Sequence, residues 1–212
     1  MIPVTEVSVL NEYGDESTGM TKTTRAAYDV PRQWVEKLYE VIDGKFVEPT
    51  PMGAFELLVA TYLQEAILEH FARTERRGWV VPESLFLLSD SPKRQRRPDL
   101  AFVTYDRWPR SRSRPRTAAW EVIPDLAVEV ISPGNTAIEI FIKLNDYFRA
   151  GVRHVWLIYP EIGFVQDFEA IDRLKVLGID GTLDGGDVLP GFQIKLSELF
   201  SDEAAPTESD DR

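Results

Sequence analysis

From about residue 54 onward, apolar runs alternate with short polar interruptions, and the spacing inside each run separates helices from strands. Between Ala54 and Phe71, the residues Leu57, Leu58, Leu63, Ile67, Leu68 and Phe71 recur at helical intervals, and Gly78 lies soon after the run. That period predicts a first long helix. Just before it, YEVIDGKFVEPTP sets strand-like residues on both sides of Asp43-Gly44, a dipeptide that accepts the positive φ angles of a tight turn. The segment predicts a hairpin whose second strand ends at the prolines.

After the helix, VVPESLFLL and PDLAFV are short apolar runs separated by the polar, basic SDSPKRQRR, and they predict consecutive strands. RWPRSRSRPRTAAWE, broken by prolines, predicts a loop that leads into a third run, PDLAVEVIS. SPGNT then reads as a turn with Asn135 or Thr136 as N-cap, followed by a helix to about Ala150 with Gly151 as C-cap. VRHVWLIYP is a further buried strand. The unit from Asp125 to Tyr159 is therefore strand, helix, strand, which implies a right-handed crossover and a parallel pair inside a mixed sheet. GFVQDFEA, LKVLGID and GDVLPGFQIKLSELF predict peripheral hairpin strands and a short final helix. The polar segments 1–28 and 201–212 lack a hydrophobic period and are expected to be flexible, leaving one main domain over 29–200.

Composition narrows the chemistry. With 212 residues, 43% of them hydrophobic, the chain can build one sizeable core. It has no cysteine and only two isolated histidines, His70 and His154, so any metal site must be mostly oxygen-ligated. No apolar run of roughly 18 residues suggests a membrane span, and the start of the chain lacks the basic-then-apolar order of a secretory signal. A cytoplasmic protein is expected. The net charge of −11 argues against a general attraction to nucleic acid. Locally the balance reverses, because Lys93, Arg94, Arg96, Arg97, Arg107, Arg110, Arg112, Arg114 and Arg116 crowd one segment. That segment reads equally well as a solvated basic loop or as a phosphate-binding one.

Two acids do not fit their surroundings. Asp99 directly precedes LAFV, and Glu129 sits inside LAVEVI, both in strands that read as buried on both faces. A carboxylate there must be paired, protonated or bound to a metal, since leaving it ionised and alone costs at least several kcal/mol. Asp125, Ala127 and Glu129 share one strand face, with the small Ala127 leaving space between the acids. On the following helix, Lys143 stands four residues after Glu139. Those two could form a surface ion pair. The helix also carries Ile138, Ile140, Phe141, Ile142, Leu144, Tyr147 and Phe148, which predicts a largely packed helix whose lysine points into a cleft.

In this order, YEVIDGKFVE before a helix, RRPDLAFV, PDLAVEVISPGNT, the lysine and tyrosine of KLNDYF, AGVRHVWLIYP and LPGFQIKLSELF resemble the PD-(D/E)XK nuclease superfamily, and more closely its Uma-type family of restriction endonucleases. The resemblance spans about Tyr28 to Phe200. It implies an α/β fold of the mixed-sheet, α+β kind, with a restriction-endonuclease-like core ordered helix-strand-strand-strand-helix-strand. Asp99 resembles the aspartate of the PD motif and Glu129 the acid of the (D/E)XK motif. Ile131 stands where the motif lysine usually does, so Lys143 on the next helix resembles its migrated equivalent. Glu56 takes the place near the start of the first helix where relatives in the family usually have histidine and many members of the superfamily have glutamate. Asp125 and Glu139 are supporting candidates behind the site. By implication, Asp99 and Glu129 bind Mg²⁺ (or Mn²⁺), Lys143 and Glu56 complete the catalytic set, and Arg96, Arg97 and Arg112 contact phosphate.

The activity so implied is metal-dependent hydrolysis of phosphodiester bonds, with DNA as the partner. The rival readings are a catalytically inactive nuclease-fold binding or regulatory module, and an acid–base hydrolase using Asp125 and Glu129 as a carboxylate pair. Trp108 and Trp120, beside the basic loop, read either as exposed aromatics available to a homodimer interface or as packed ones.

Overall fold

The computed structural model describes residues 30–34 and 37–201. The segment 1–28 and the acidic tail beyond Ser201, expected to be flexible, lie outside the described residues. The hairpin forms as its turn dipeptide dictates. Strands β1 (Glu40–Ile42) and β2 (Lys45–Val47) pair antiparallel around Asp43 and Gly44, whose φ angles are 50° and 77°. Helix α1 follows (Ala54–Arg73), burying Val59, Ala60, Leu63, Ile67 and Phe71 along one stripe.

Beyond α1 the apolar runs divide between two sheets. VVPESLFLL splits into β3 (Gly78–Pro82) and β4 (Phe86–Asp90), and the basic interruption is itself a strand, β5 (Lys93–Arg96). The smaller sheet has the order β2-β1-β5-β4. The larger one contains β6 (Leu100–Thr104), β7 (Leu126–Val130), β8 (His154–Tyr159), β9 (Phe164–Ala170) and β10 (Arg173–Leu177), in the order β10-β9-β8-β7-β6-β3. Its pairs are antiparallel except β7 with β8, the parallel pair joined through helix α2 (Ala137–Ala150). A ribbon of β11 (Thr182–Asp184) and β12 (Gln193–Lys195) and the short helix α3 (Leu196–Leu199) close the domain. The expected helix-strand-strand-strand-helix-strand core is thus α1, β3, β6, β7, α2 and β8. The β4–β5 hairpin is a departure from the simple two-strand reading of that stretch.

Strand alternation gives the large sheet two apolar layers. Leu100, Phe102, Leu126, Val128, Val130, Trp156 and Ile158 face α1, α3 and the ribbon. Ala101, Val103, Ala127, Val155 and Leu157 face α2 and β4. Odd-numbered residues of β6 and β7 therefore point to the α2 side, and Asp99 and Glu129 go with them.

Helix α2 starts at a capping box: Glu139 N donates to Thr136 Oγ1 at 3.3 Å, and Thr136 N donates to Glu139 Oε2 at 3.0 Å. It stops at Gly151, which adopts φ 96°, as a left-handed cap requires. Contrary to the packed helix expected, Ile138 and Phe141 are 74% and 59% exposed, and the buried residues are Leu144, Asp146 and Tyr147. Of the two readings open for the tryptophans, the structure takes the packed one. Trp108 and Trp120 are buried, in edge contact at 5.3 Å, with Phe86 stacked on Trp120, so they serve the core rather than an interface. Among the described residues no helix is long and apolar enough to cross a membrane.

Candidate active site

Strand register brings the two anomalous acids together. In the β6–β7 ladder Leu100 faces Val128 and Ala101 faces Ala127; one step further along, Asp99 stands opposite Glu129 on the α2 side. Like charges directly opposite each other across a ladder repel. Asp99 Oδ2 accepts a 2.6 Å hydrogen bond from Val130 N, which fixes its carboxylate against β7. Even so, burial first and the Glu129 charge second push the Asp99 pKa up to about 7.

Glu129 is buried, and two residues one turn apart on α2 reach it. Lys143 Nζ donates to Oε2 at 2.7 Å, and the Tyr147 hydroxyl donates to Oε1 at 2.5 Å. Burial alone would lower the Lys143 pKa, but the charges of Glu129 and Glu40 more than reverse this, so it is raised and the amine stays protonated. The lysine turns to the sheet rather than to Glu139, whose carboxylate is occupied in the capping box and whose pKa is lowered by those Thr136 hydrogen bonds.

A further acid completes the wall. Glu40 on β1 is buried, with Oε1 3.7 Å from Lys143 Nζ and Oε2 accepting from Arg96 at 2.6 Å. The Arg96 guanidinium also bonds both Asp146 on α2 and Glu40, tying the small sheet to the helix above the carboxylates. Beside these residues lies a cleft of about 130 Å³, room for a few water molecules. Five carboxylates line it, those of Glu40, Glu48, Asp99, Glu129 and Glu139, against the two cations Arg96 and Lys143. Such a cleft attracts cations and repels a phosphate until it is neutralised.

A family model described as Uma2, "Putative restriction endonuclease", matches residues 31–197. The chain belongs to the Uma2 family. Among solved structures it is similar to one described as a putative nuclease belonging to DUF820, from Anabaena variabilis ATCC 29413. The identity is 19%, the TM-score is 0.65, and the match covers 76% of this chain and 89% of that one. At that identity the likeness speaks for the fold. No curated protein matches the chain.

The other candidate residues named from the sequence are scattered by the fold. Glu56 is buried in the first turn of α1, its carboxylate folded back over Gly53, and it does not line the cleft. Asp125 is four residues from Glu129 along β7, about 13 Å away. There it accepts from Thr104 N and pairs with Arg107 and Arg153, so it supports the far end of the strand. This separation removes Asp125 and Glu129 as a working pair. Arg96, expected at phosphate, is buried and bound to two carboxylates. Arg112 is beyond the other end of β6, stacked over Trp108 at 3.7 Å. Of the three arginines only Arg97 borders the acids with an accessible face, in a hollow shared with Asp99 and Lys143, its side chain donating to the carbonyls of Tyr39 and Glu83. Sequence reasoning passed over Glu40 and Asp146, and named Tyr147 only as the tyrosine of KLNDYF without giving it a role. The one signal for Glu40 is its position as the sole acid between Tyr39 and Val41, at the head of an otherwise apolar strand.

Among the described residues no group of three or more His, Cys, Asp or Glu side chains converges as a metal cage. The cleft offers a pair instead, and the pair suits a hard divalent cation. Asp99 Oδ1 makes no hydrogen bond among the described residues, and a positive charge there would relieve the repulsion that raises its pKa.

Proposed function

We propose that the protein is a divalent-cation-dependent endonuclease that hydrolyses phosphodiester bonds in DNA. In this reading Asp99 and Glu129 hold Mg²⁺ or Mn²⁺, and Lys143 is the cation at the reacting phosphate. It is carried by one observation: two carboxylates forced together across adjacent strands, with Asp99 held near neutral pKa in a cleft dominated by acids. The Uma2 family description and the similar solved structure, each naming a nuclease, support it. Mg²⁺ commonly binds through one or two carboxylates and keeps several waters, so a pair suffices. When bound, such an ion neutralises charge at phosphate and acidifies water in its shell.

The chain's own residues orient that chemistry. Val130 N and the Tyr147 hydroxyl each hold one carboxylate oxygen, of Asp99 and Glu129 respectively, which sets how the pair faces the cleft. Lys143, its pKa raised, keeps its proton at neutral pH; it acts as an electrostatic donor to a phosphate oxygen and not as a general base. Glu40 keeps a second carboxylate within 3.7 Å of the lysine, so the amine stays at the cleft when Glu129 serves the cation.

The test pairs calorimetric Mn²⁺ titration with a DNA cleavage assay. Wild type binds Mn²⁺ and cleaves DNA with Mg²⁺ but not with EDTA; Asp99→Asn loses both properties, and Lys143→Met loses about 10²-fold in rate while retaining the ion. Full cleavage by Asp99→Asn defeats the assignment. One observation favours an inactive binding module as a second reading, since both Glu129 oxygens are already bonded within the fold. In that case Mn²⁺ gives no binding heat.

A further inference from the structure

A chemically opposite surface stands at the other end of β6. Trp79 on β3, Tyr105 just past β6 and Trp108 form one aromatic shelf. Trp79 and Tyr105 meet edge to face at 5.7 Å, and Trp79 Nε1 donates to Trp108 O at 3.1 Å. An arginine lies over each ring, with guanidinium carbons 5.8 Å (Arg76 over Trp79), 5.5 Å (Arg110 over Tyr105) and 3.7 Å (Arg112 over Trp108) from the ring centroids. All three arginines are exposed, and none forms a salt bridge among the described residues. Their neighbours differ, since Arg77 pairs with Glu75 and Arg107 with Asp125. In a chain with 35 acids against 24 lysines and arginines, carboxylates are in excess, yet among the described residues these cations pair with none.

We propose that this arginine-covered shelf is a nucleic-acid backbone contact, separate from the acidic cleft and indifferent to sequence. A guanidinium resting on a ring is already oriented, and its terminal N–H groups can grip phosphate oxygens in pairs. The ring faces are covered by the arginines, so the shelf offers phosphate contacts and no stacking platform for bases. From Asp99 to Thr104 the strand rises about 17 Å, on the order of five nucleotide steps. The phosphates held on the shelf are therefore not the one at the cleft. This division of labour suits the charge distribution: the cleft draws a cation and the shelf draws the polyanion. The choice of nucleic acid over other polyanions rests on the nuclease reading of the cleft.

The test is fluorescence anisotropy of the full chain with labelled duplex DNA in EDTA across a salt series, comparing wild type with Arg76→Gln/Arg110→Gln/Arg112→Gln and with the same three positions changed to lysine. The glutamine variant is expected to bind at least tenfold more weakly, with the slope of log affinity against log salt shallower by up to about 2.7, since each phosphate contact contributes about 0.9. The lysine variant keeps most of the slope, which a purely structural role for the arginines would not produce. Unchanged affinity and slope in the glutamine variant overturn the proposal. So does a polyglutamate peptide that competes as well as DNA does, because the surface then reads an acidic protein. Cleavage separates this proposal from the reading of the cleft: at saturating DNA the glutamine variant still cuts, whereas Asp99→Ala does not. If Asp99→Ala cuts and the shelf still governs binding, the cleft assignment fails and the shelf stands.

Discussion

Replacing Asp99 with asparagine should stabilise the metal-free protein, and only at pH values where the aspartate is charged. The pKa of Asp99 rises from its ordinary 3.8 to about 7 in the fold, because it is buried and faces Glu129. An acid whose folded-state pKa exceeds its unfolded value favours the unfolded chain once the pH passes the unfolded value. The penalty is absent below about pH 4, grows up to about pH 7 and is constant above. Three pKa units at about 1.4 kcal/mol each give an upper bound of about 4 kcal/mol. Solvent reaching the partly open carboxyl reduces this to about 2 kcal/mol. Asparagine fills the same space, can still accept from Val130 N and carries no charge. Urea unfolding in EDTA should therefore find Asp99→Asn more stable than wild type by about 2 kcal/mol at pH 8, with the gap closing towards pH 4. Adding Mn²⁺ at pH 8 should reverse the order by stabilising wild type alone. A gap that is independent of pH, or a variant less stable at pH 8, would refute the electrostatic account of the pair.

Three further outcomes follow from other parts of the fold. Arg96→Met strands the buried carboxylates of Glu40 and Asp146 and should cost about 3–5 kcal/mol by urea unfolding, far more than a surface arginine would. Thr136→Ala removes one half of the α2 capping box and should cost about 1 kcal/mol in the same assay, leaving cleavage by the folded protein unchanged. His154 lies between Asp167 and Asp187, and its pKa is raised, chiefly by the hydrogen bond with Asp167. Its contribution is full below its unfolded pKa of about 6.5 and fades as pH climbs through the raised folded value, so the stability gap between wild type and His154→Gln should be wider at pH 6 than at pH 9.

Where the interactions are local, the sequence was readable. The Asp43-Gly44 turn, the Thr136 cap and the Gly151 stop each depend on residues a few positions apart. The burial of Glu129 followed from the apolar residues on both sides of it, and its opposition to Asp99 from two strands that pair as neighbours. What stayed hidden depends on distant partners. KRQR reads as part of a basic loop, solvated or phosphate-binding, because its charges cannot be matched nearby, yet Arg96 meets Glu40 and Asp146, 56 and 50 residues away, and is buried by that match. The same limit concealed Glu40 beside Lys143. The apolar residues of α2 misled in another way, since hydrophobicity around a helix states what could be covered, while the elements that arrive to cover it are set by topology. Ile138 and Phe141 found none among the described residues.

Strand β7 runs as a tape with two tracks. Leu126, Val128 and Val130 face the α1 layer, whereas Asp125, Ala127 and Glu129 carry an anchor, a packed alanine and an acid on the α2 side. A substitution on the first track alters packing, and one on the second alters the ion pairs of Asp125 or the site at Glu129, so the kind of damage should alternate along the strand with a period of two. Losing a single residue from its middle would swap the tracks. It would drive the acid into the apolar layer and turn valine towards the lysine. For this protein the length of one short strand is therefore as much a part of the site as the identity of any residue on it.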